Sequence, residues 1–196
     1  MNTEMSLHDI YVASFFNSGN SGGGTTIIKE QNIKCSEDGR IISITFPNNV
    51  KSLATNCYAG NTYLENVVIP DSVTTIGNEA FAGCVNLKSA KLSNNITVIP
   101  KSMFDTCRTL KEITIPNGVT TIKSNAFEDC QALTSAVIPD SVTDIETVAF
   151  SNCIALKDIY YTGTQEQWEA ITKASGWNNN LGVTVGGTTI HYNYIP

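Results

Sequence analysis

Apolar and polar residues form a pattern that repeats every 23 residues through the middle of the chain. In the clearest copy the apolar positions are Leu110, Ile113, Ile115, Pro116, Val119, Ile122, Ala126, Phe127 and Cys130. Ile113 and Ile115 alternate with polar Glu112 and Thr114, which is the two-residue period of a strand buried on one face. The pattern therefore predicts one short strand in each unit.

The repeat covers residues 41–162 without a gap between units. One column holds Ile41, Leu64, Leu87, Leu110, Leu133 and Leu156. A period of roughly 20–29 residues is typical of a leucine-rich solenoid. One unit buries too few apolar side chains, at about 1.5–3 kcal/mol each, to offset about 1–2 kcal/mol of backbone entropy per residue. We therefore predict an α/β solenoid, a rod of mostly β and irregular structure with one short parallel strand per 23-residue unit.

The remainder of each unit predicts a turn, a second extended piece and a return. Proline follows the strand in most copies and ends its pairing, because proline has no N–H to donate. An Asn or Asp then favours a turn. Val119 and Ile122 frame a second short extended piece, and Ala126–Cys130 predicts a single helical turn on the outer side of the rod.

The unit Val68–Cys84 reads Val-Ile-Pro-Asp-Ser-Val-Thr-Thr-Ile-Gly-Asn-Glu-Ala-Phe-Ala-Gly-Cys. This unit resembles the BspA-like leucine-rich repeat of bacterial surface proteins, and the resemblance covers about residues 41–162. Cys57 and Tyr58 replace Ala-Phe in the first copy, and Ser93 replaces proline in the third. The resemblance implies a cell-surface or extracellular protein that adheres to other macromolecules.

Residues 1–24 differ from the repeat in composition. Residues 6–16 predict a short amphipathic helix, and a run of Gly, Ser and Asn then predicts a flexible linker. This start also resembles small structural proteins that bacterial prophages encode. The helix either docks on a partner, folds back over the first unit or is disordered. Residues 25–40 predict an N-terminal cap with a turn at Glu37–Gly39.

Residues 163–196 predict a C-terminal cap made of a helix and a hairpin. Thr164 and Gln167 have the spacing of a capping box, in which each side chain bonds the other residue's backbone N–H. The predicted helix carries Trp168 as a plug for the last unit and runs to about Ala174. Residues 183–192 predict the hairpin, with Gly186 and Gly187 in its turn. The segment resembles the closing unit of BspA-like arrays.

Charge and hydropathy exclude two classes of partner. The net charge of −6 and a pI near 4.8 argue against nucleic acid, which requires clustered Lys and Arg. The chain has no run of about 18 apolar residues, so we expect no membrane span. Its first residues have neither a basic stretch nor a long apolar stretch, so no secretory signal peptide is visible.

The cysteines predict buried thiols rather than disulfides. Four of them share one repeat column, at Cys84, Cys107, Cys130 and Cys153. Equivalent side chains on neighbouring units point the same way and inward, so we expect reduced thiols that pack as small apolar groups. We expect Cys35 and Cys57 to be reduced too. The cysteine spacing does not suit zinc, and we expect no metal.

The sequence carries no recognisable catalytic constellation. The two histidines, His8 and His191, are far apart and have no nucleophile beside them. The sequence contains no phosphate-binding loop and no dinucleotide fingerprint. We therefore expect a non-enzymatic protein that needs no cofactor.

The repeat also predicts an extended face that could bind a ligand. Polar and small residues between the buried strand positions all point outward and add one row per unit. The candidate ligand-binding residues on this face are Asn66, Val68, Lys91, Glu112, Thr114, Val137, Asp158 and Tyr160. We expect a protein or glycan ligand.

Two other interpretations of this face remain open. Its residues suit solvated strand positions that bind nothing. Alternatively, the rod is a structural spacer, encoded by a prophage and attached through the helix at residues 6–16.

Overall fold

The structure is a computed structural model, and it describes residues 33–37, 39–182 and 186–196. The helix expected at residues 6–16, the linker that follows it and the start of the N-terminal cap lie outside these residues. The described residues form a parallel β-solenoid, as the repeat predicted.

One side of the solenoid is built by the predicted strands, and we call it the strand wall. Its strands are β1 (Ile33–Cys35), β2 (Ile41–Thr45), β4 (Asn66–Val68), β6 (Ser89–Lys91), β8 (Glu112–Thr114), β10 (Ser135–Ile138), β12 (Asp158–Tyr161) and β14 (Thr189–His191). They form two four-stranded sheets, in the orders β1-β2-β4-β6 and β8-β10-β12-β14. All pairs within these sheets are parallel except β1 with β2.

The second extended piece of each unit pairs as well, over two residues. These strands are β3 (Ser52–Leu53), β5 (Thr75–Ile76), β7 (Val98–Ile99), β9 (Thr121–Ile122), β11 (Asp144–Ile145) and β13 (Thr172–Lys173). They form a narrow second side, again in two sheets, β3-β5 and β7-β9-β11-β13. The expectation of one parallel strand per unit is confirmed for the strand wall, and the second side adds a shorter ladder.

The outer side is made of turns, so the expected helical turn at Ala126–Cys130 is wrong. Two positions in every unit have a left-handed backbone. The first column is Asn56, Glu79, Ser102, Asn125 and Val148, and the second is Gly60, Gly83, Thr106, Asp129 and Asn152. Only three residues separate the two positions within a unit, too few for a right-handed helical turn to continue.

The core lies between these three sides and holds a continuous stack of aromatic rings. Tyr58, Phe81, Phe104, Phe127 and Phe150 stack in order, with centroids 5.0–5.7 Å apart. The four phenylalanines are fully buried, and so are the leucines of the repeat column. The stack ends edge-on against Phe46 at one end and Trp177 at the other.

The four cysteines of the repeat column are buried thiols. Each donates its S–H to a backbone carbonyl of the preceding unit: Cys84 to Tyr58, Cys107 to Phe81, Cys130 to Phe104 and Cys153 to Phe127, over 3.1–3.3 Å. Cys57, in the alanine position of its unit, is also a buried thiol. Burial raises the pKa of Cys84 and Cys153 to about 12, so these thiols stay protonated.

The C-terminal end of the strand wall carries the expected helix, with one difference in its length. Helix α1 (Gln165–Ala170) has the predicted capping box, and Trp168 is buried edge-on against Tyr161. The helix ends at Ala170, with Ile171 as its C-cap, rather than near Ala174. The reason is that Thr172 and Ala174 donate to Thr143 and Ile145 and so extend the second side.

The predicted hairpin is described only in its second half. Its first arm includes residues 183–185, which lie outside the described residues. The second arm is β14, which pairs in parallel with β12 and becomes the last strand of the wall. Gly186 and Gly187, the expected turn residues, both have positive φ.

The third unit interrupts the ladders on two sides. On the second side, the N–H groups of Gly77, Lys123 and Glu146 each donate to the preceding unit over 2.9–3.0 Å. Pro100 occupies the same column and has no N–H, so β5 and β7 are not paired. On the strand wall the ladder stops between β6 and β8. This unit is the copy in which Ser93 replaces proline.

Candidate ligand-binding face

The register of the strand wall aligns the outward residues into two columns, as the period predicted. In one column Asn66 pairs with Ser89, and Glu112, Ser135 and Asp158 follow. In the other, Val68 pairs with Lys91, and Thr114, Val137 and Tyr160 follow. All eight candidate residues therefore lie on one side of the solenoid. The break between β6 and β8 divides them into two groups.

The candidate residues differ in their exposure to solvent. Lys91, Glu112 and Thr114 are exposed, and they flank the break in the wall. The others, Asn66, Val68, Val137, Asp158 and Tyr160, are half-buried. The most accessible candidates thus lie in the middle of the wall, where a lysine and a glutamate stand on neighbouring units.

A cavity of about 630 Å³ opens on the wall at this place. It extends from the third unit to the C-terminal cap, and its lining includes Lys91, Asn94, Glu112, Thr114, Val137 and Tyr160. Tyr194, from the tail after β14, closes one end. The volume falls in the range of pockets that hold small ligands, about 300–1,000 Å³.

An aromatic cluster stands at the C-terminal end of this cavity. The ring of Tyr160 stacks on the imidazole of His191, with centroids 4.8 Å apart and an interplanar angle of 17°. Tyr194 lies 4.8 Å from the same ring at a tilt of 41°. His191 is held in turn by Asp158, whose Oδ1 lies 2.8 Å from Nε2. Tyr160 is therefore in contact with two other rings rather than standing alone.

Sequence reasoning missed His191 and Tyr194 as members of this face. His191 pairs with Tyr160 across β12 and β14, so it continues the outward column by one row. The signal that was missed is the alternation of polar and apolar residues in Thr189–His191, which continues the strand pattern after the last unit. Tyr194 lies outside any repeat, and its backbone N–H donates to Tyr161 over 3.0 Å.

The other end of the cavity carries a polar network. The side chain of Asp71 accepts hydrogen bonds from the backbone N–H and the side-chain amide of Asn94, at 2.8 and 3.3 Å. These bonds, with a smaller contribution from the positive charge of Lys91, lower the pKa of Asp71. On the neighbouring strand, Ser89 donates its hydroxyl to Asn66 over 2.7 Å.

The described residues offer no second kind of site. Within them, no group of three His, Cys, Asp or Glu side chains could hold a metal ion. None of the helices in the described part of the chain is long and apolar enough to cross a membrane. The buried thiols have raised pKa values and are not nucleophiles.

Comparisons with known proteins agree with this architecture. Residues 29–157 match the family described as the BspA type leucine rich repeat region, in six copies. None of the curated proteins matches the chain.

Several solved structures share the fold. One is a leucine rich cell surface protein from Faecalibacterium prausnitzii A2-165, which is 38% identical with a TM-score of 0.66. The match covers 71% of this chain and 40% of that one, so this chain spans less than half of its relative's length.

More distant structures show the fold alone. The T. pallidum leucine rich repeat protein is 24% identical with a TM-score of 0.60, over 76% of this chain and 81% of that one. The pneumococcal vaccine antigen PcpA is 17% identical with a TM-score of 0.58, over 85% of this chain and 49% of that one. Together, the six matched repeats, the solenoid and the 38% identity show that the chain belongs to the BspA-type leucine-rich repeat family.

Proposed function

We propose that this chain is a non-enzymatic adhesion or interaction module that holds a protein or glycan ligand on the strand wall. The observation that carries the proposal is the cavity of about 630 Å³, which crosses the wall and ends at the aromatic cluster. A concave, ordered face suits ligand binding, because its side chains lose little freedom when a ligand arrives.

The proposed location is supported by the relatives rather than by a feature of the chain. The F. prausnitzii protein is a cell surface protein, and PcpA is a vaccine antigen. We infer that this chain likewise acts at a bacterial cell surface. A catalytic role has no support from the wall, since its one histidine, His191, is paired with Asp158 and has no nucleophile beside it.

The proposal is tested by binding to a panel of purified extracellular glycoproteins and free oligosaccharides. Tyr160→Ala should cost at least about 1 kcal/mol of binding free energy, because interface energy concentrates in a few aromatic anchors. Lys91→Glu should change the affinity by an amount that depends on salt, because Lys91 is exposed.

Deletion of residues 1–24 is the matched comparison, and it addresses the alternative of a structural spacer. If the two wall variants bind like the parent while the deletion abolishes binding, the wall is scaffolding. The N-terminal segment is then the functional end.

A further inference from the structure

The cavity on the strand wall has an open floor, because one inward position is not covered. The buried strand column holds Val67, Ile113, Ala136 and Ile159, all at most 2% exposed. In β6 the same position is Ala90, which is half-buried and lines the cavity. The wall opens here because β6 and β8 do not pair, whereas Ala136, at the same position in a strand that is paired on both sides, is fully buried. This opening gives the face its depth.

We propose that the ligand of this cavity is a short, neutral oligosaccharide that lies along the wall from Lys91 to Tyr194. The inference deepens the proposed function and rests on it. Three steps between neighbouring units separate Lys91 from Tyr160, or about 14 Å at about 4.8 Å per step. The site is therefore long enough for several linked sugar rings.

The polar lining matches a ligand rich in hydroxyl groups. Every sugar hydroxyl both donates and accepts a hydrogen bond. The Lys91 ammonium only donates hydrogen bonds, and an ionised Glu112 carboxylate only accepts them. Ser89, Thr114 and Ser135 carry hydroxyls that do either. A lining of this mixture satisfies a polyhydroxyl chain without leaving a buried polar group unpaired.

The aromatic cluster supplies the apolar contact that a sugar ring requires. The C–H groups on one face of a sugar carry a slight positive charge, and the face of an aromatic ring is negative. Tyr160 and Tyr194 both line the cavity and lie 4.8 Å apart. Tyr160 is fixed by His191, and His191 by Asp158, so little side-chain freedom is lost on binding.

The same lining disfavours a peptide or a large protein surface. An extended peptide adds to an open sheet edge, whereas the cavity lies on the face of the wall, where side chains project. A protein contact requires a desolvated apolar centre. Within the described residues, the large hydrophobic side chains that are exposed are Tyr63 and Ile195, and neither lines the cavity.

The charges favour a neutral sugar over an acidic one. Lys91 and Glu112 both line the cavity, so their charges cancel. Asp158 stands beside Tyr160 at the aromatic end, paired with His191. An anionic ligand would meet Lys91 and Glu112 together and gain no net attraction from the two charged side chains of the lining.

The experiment measures binding of the full chain to an array that carries neutral oligosaccharides, sialylated or sulfated oligosaccharides and purified matrix proteins. Tyr194→Ala removes a ring at the end of the cavity, and Tyr63→Ala removes an exposed ring outside it. Thr114→Trp fills the centre from an exposed position, so it leaves the core intact. Thr74→Trp, also exposed but away from the cavity, is its control.

We expect the parent to retain neutral oligosaccharides. Tyr194→Ala and Thr114→Trp should each weaken binding about tenfold or more, and the two controls should bind like the parent. Retention of a matrix protein alone, or of acidic sugars alone, would overturn the neutral-sugar assignment and leave the proposed function standing. Retention of nothing on the array would overturn both. Oligosaccharide binding that survives Thr114→Trp would show that the ligand lies elsewhere.

Discussion

The thiol of Cys130 donates a hydrogen bond to the backbone carbonyl of Phe104 over 3.2 Å, across the boundary between two units. The same bond is made by Cys84, Cys107 and Cys153 with carbonyls 26 residues earlier. The cysteine column is therefore a second set of contacts between units, beside the aromatic stack.

Thiol titration should find these four cysteines unreactive in the folded protein. Burial raises the pKa of the Cys107 and Cys130 thiols well above the ordinary value, so neither forms the reactive thiolate at neutral pH. All four should react after denaturation without reductant. A disulfide between neighbouring members of the column in a peptide map would contradict the account.

Stability should fall in alkaline solution because of the same thiols. An unfolded cysteine loses its proton above pH 9, whereas folded Cys84 and Cys153 keep theirs to about pH 12. The stabilising contribution is complete below pH 9 and is lost as the pH rises toward 12, at about 1.4 kcal/mol per thiol and pH unit. Denaturant unfolding at several pH values measures the slope. Cys84→Ala should make it shallower, and an unchanged slope would contradict the assignment.

Removing one ring from the aromatic stack should destabilise the whole rod. Phe127 is fully buried between Phe104 and Phe150, at centroid distances of 5.6 and 5.0 Å. Phe127→Ala should cost about 3–5 kcal/mol of unfolding free energy, the usual cost of an emptied aromatic site. Because each unit is stabilised by its neighbours, we expect one lowered transition in denaturant. A loss below about 1 kcal/mol would show that the stack does not hold the core together.

Val148 should be a position where substitution stabilises the protein. Its backbone is left-handed, with φ of 53°, which strains a β-branched side chain. Asn125 occupies the same position in the preceding unit, with φ of 61°. Val148→Asn should raise the unfolding free energy by about 1 kcal/mol, because asparagine tolerates this conformation. Asn125→Val is the reverse control and should destabilise. A loss of stability in Val148→Asn would contradict the inference that the backbone at Val148 is strained.

The sequence predicts the strand wall well because two periods reinforce each other. The 23-residue repeat sets the neighbours, and the two-residue alternation sets which side chains face outward, so Val137 opposite Tyr160 follows from counting. The capping box at Thr164 was predicted for a similar reason, since its bonds are local in the chain.

The outer turns could not be predicted from hydrophobicity. Residues as different as Glu79, Asn125 and Val148 share one left-handed position, so no residue type marks it. By contrast, the interruption at Pro100 could have been predicted from the sequence, because proline cannot donate to the ladder.

The aromatic cluster could not be predicted, because it depends on Tyr194. This residue lies outside the repeat, and only the folded tail brings it to Tyr160.

Hydrogen–deuterium exchange of the chain with and without its tightest ligand from the array tests most directly whether the strand wall is the binding face. We expect slower exchange in residues 89–94, 112–116, 158–161 and 189–194 when the ligand is bound, with no change in the outer turns. Slower exchange confined to residues 1–24 or to the outer turns would contradict the account.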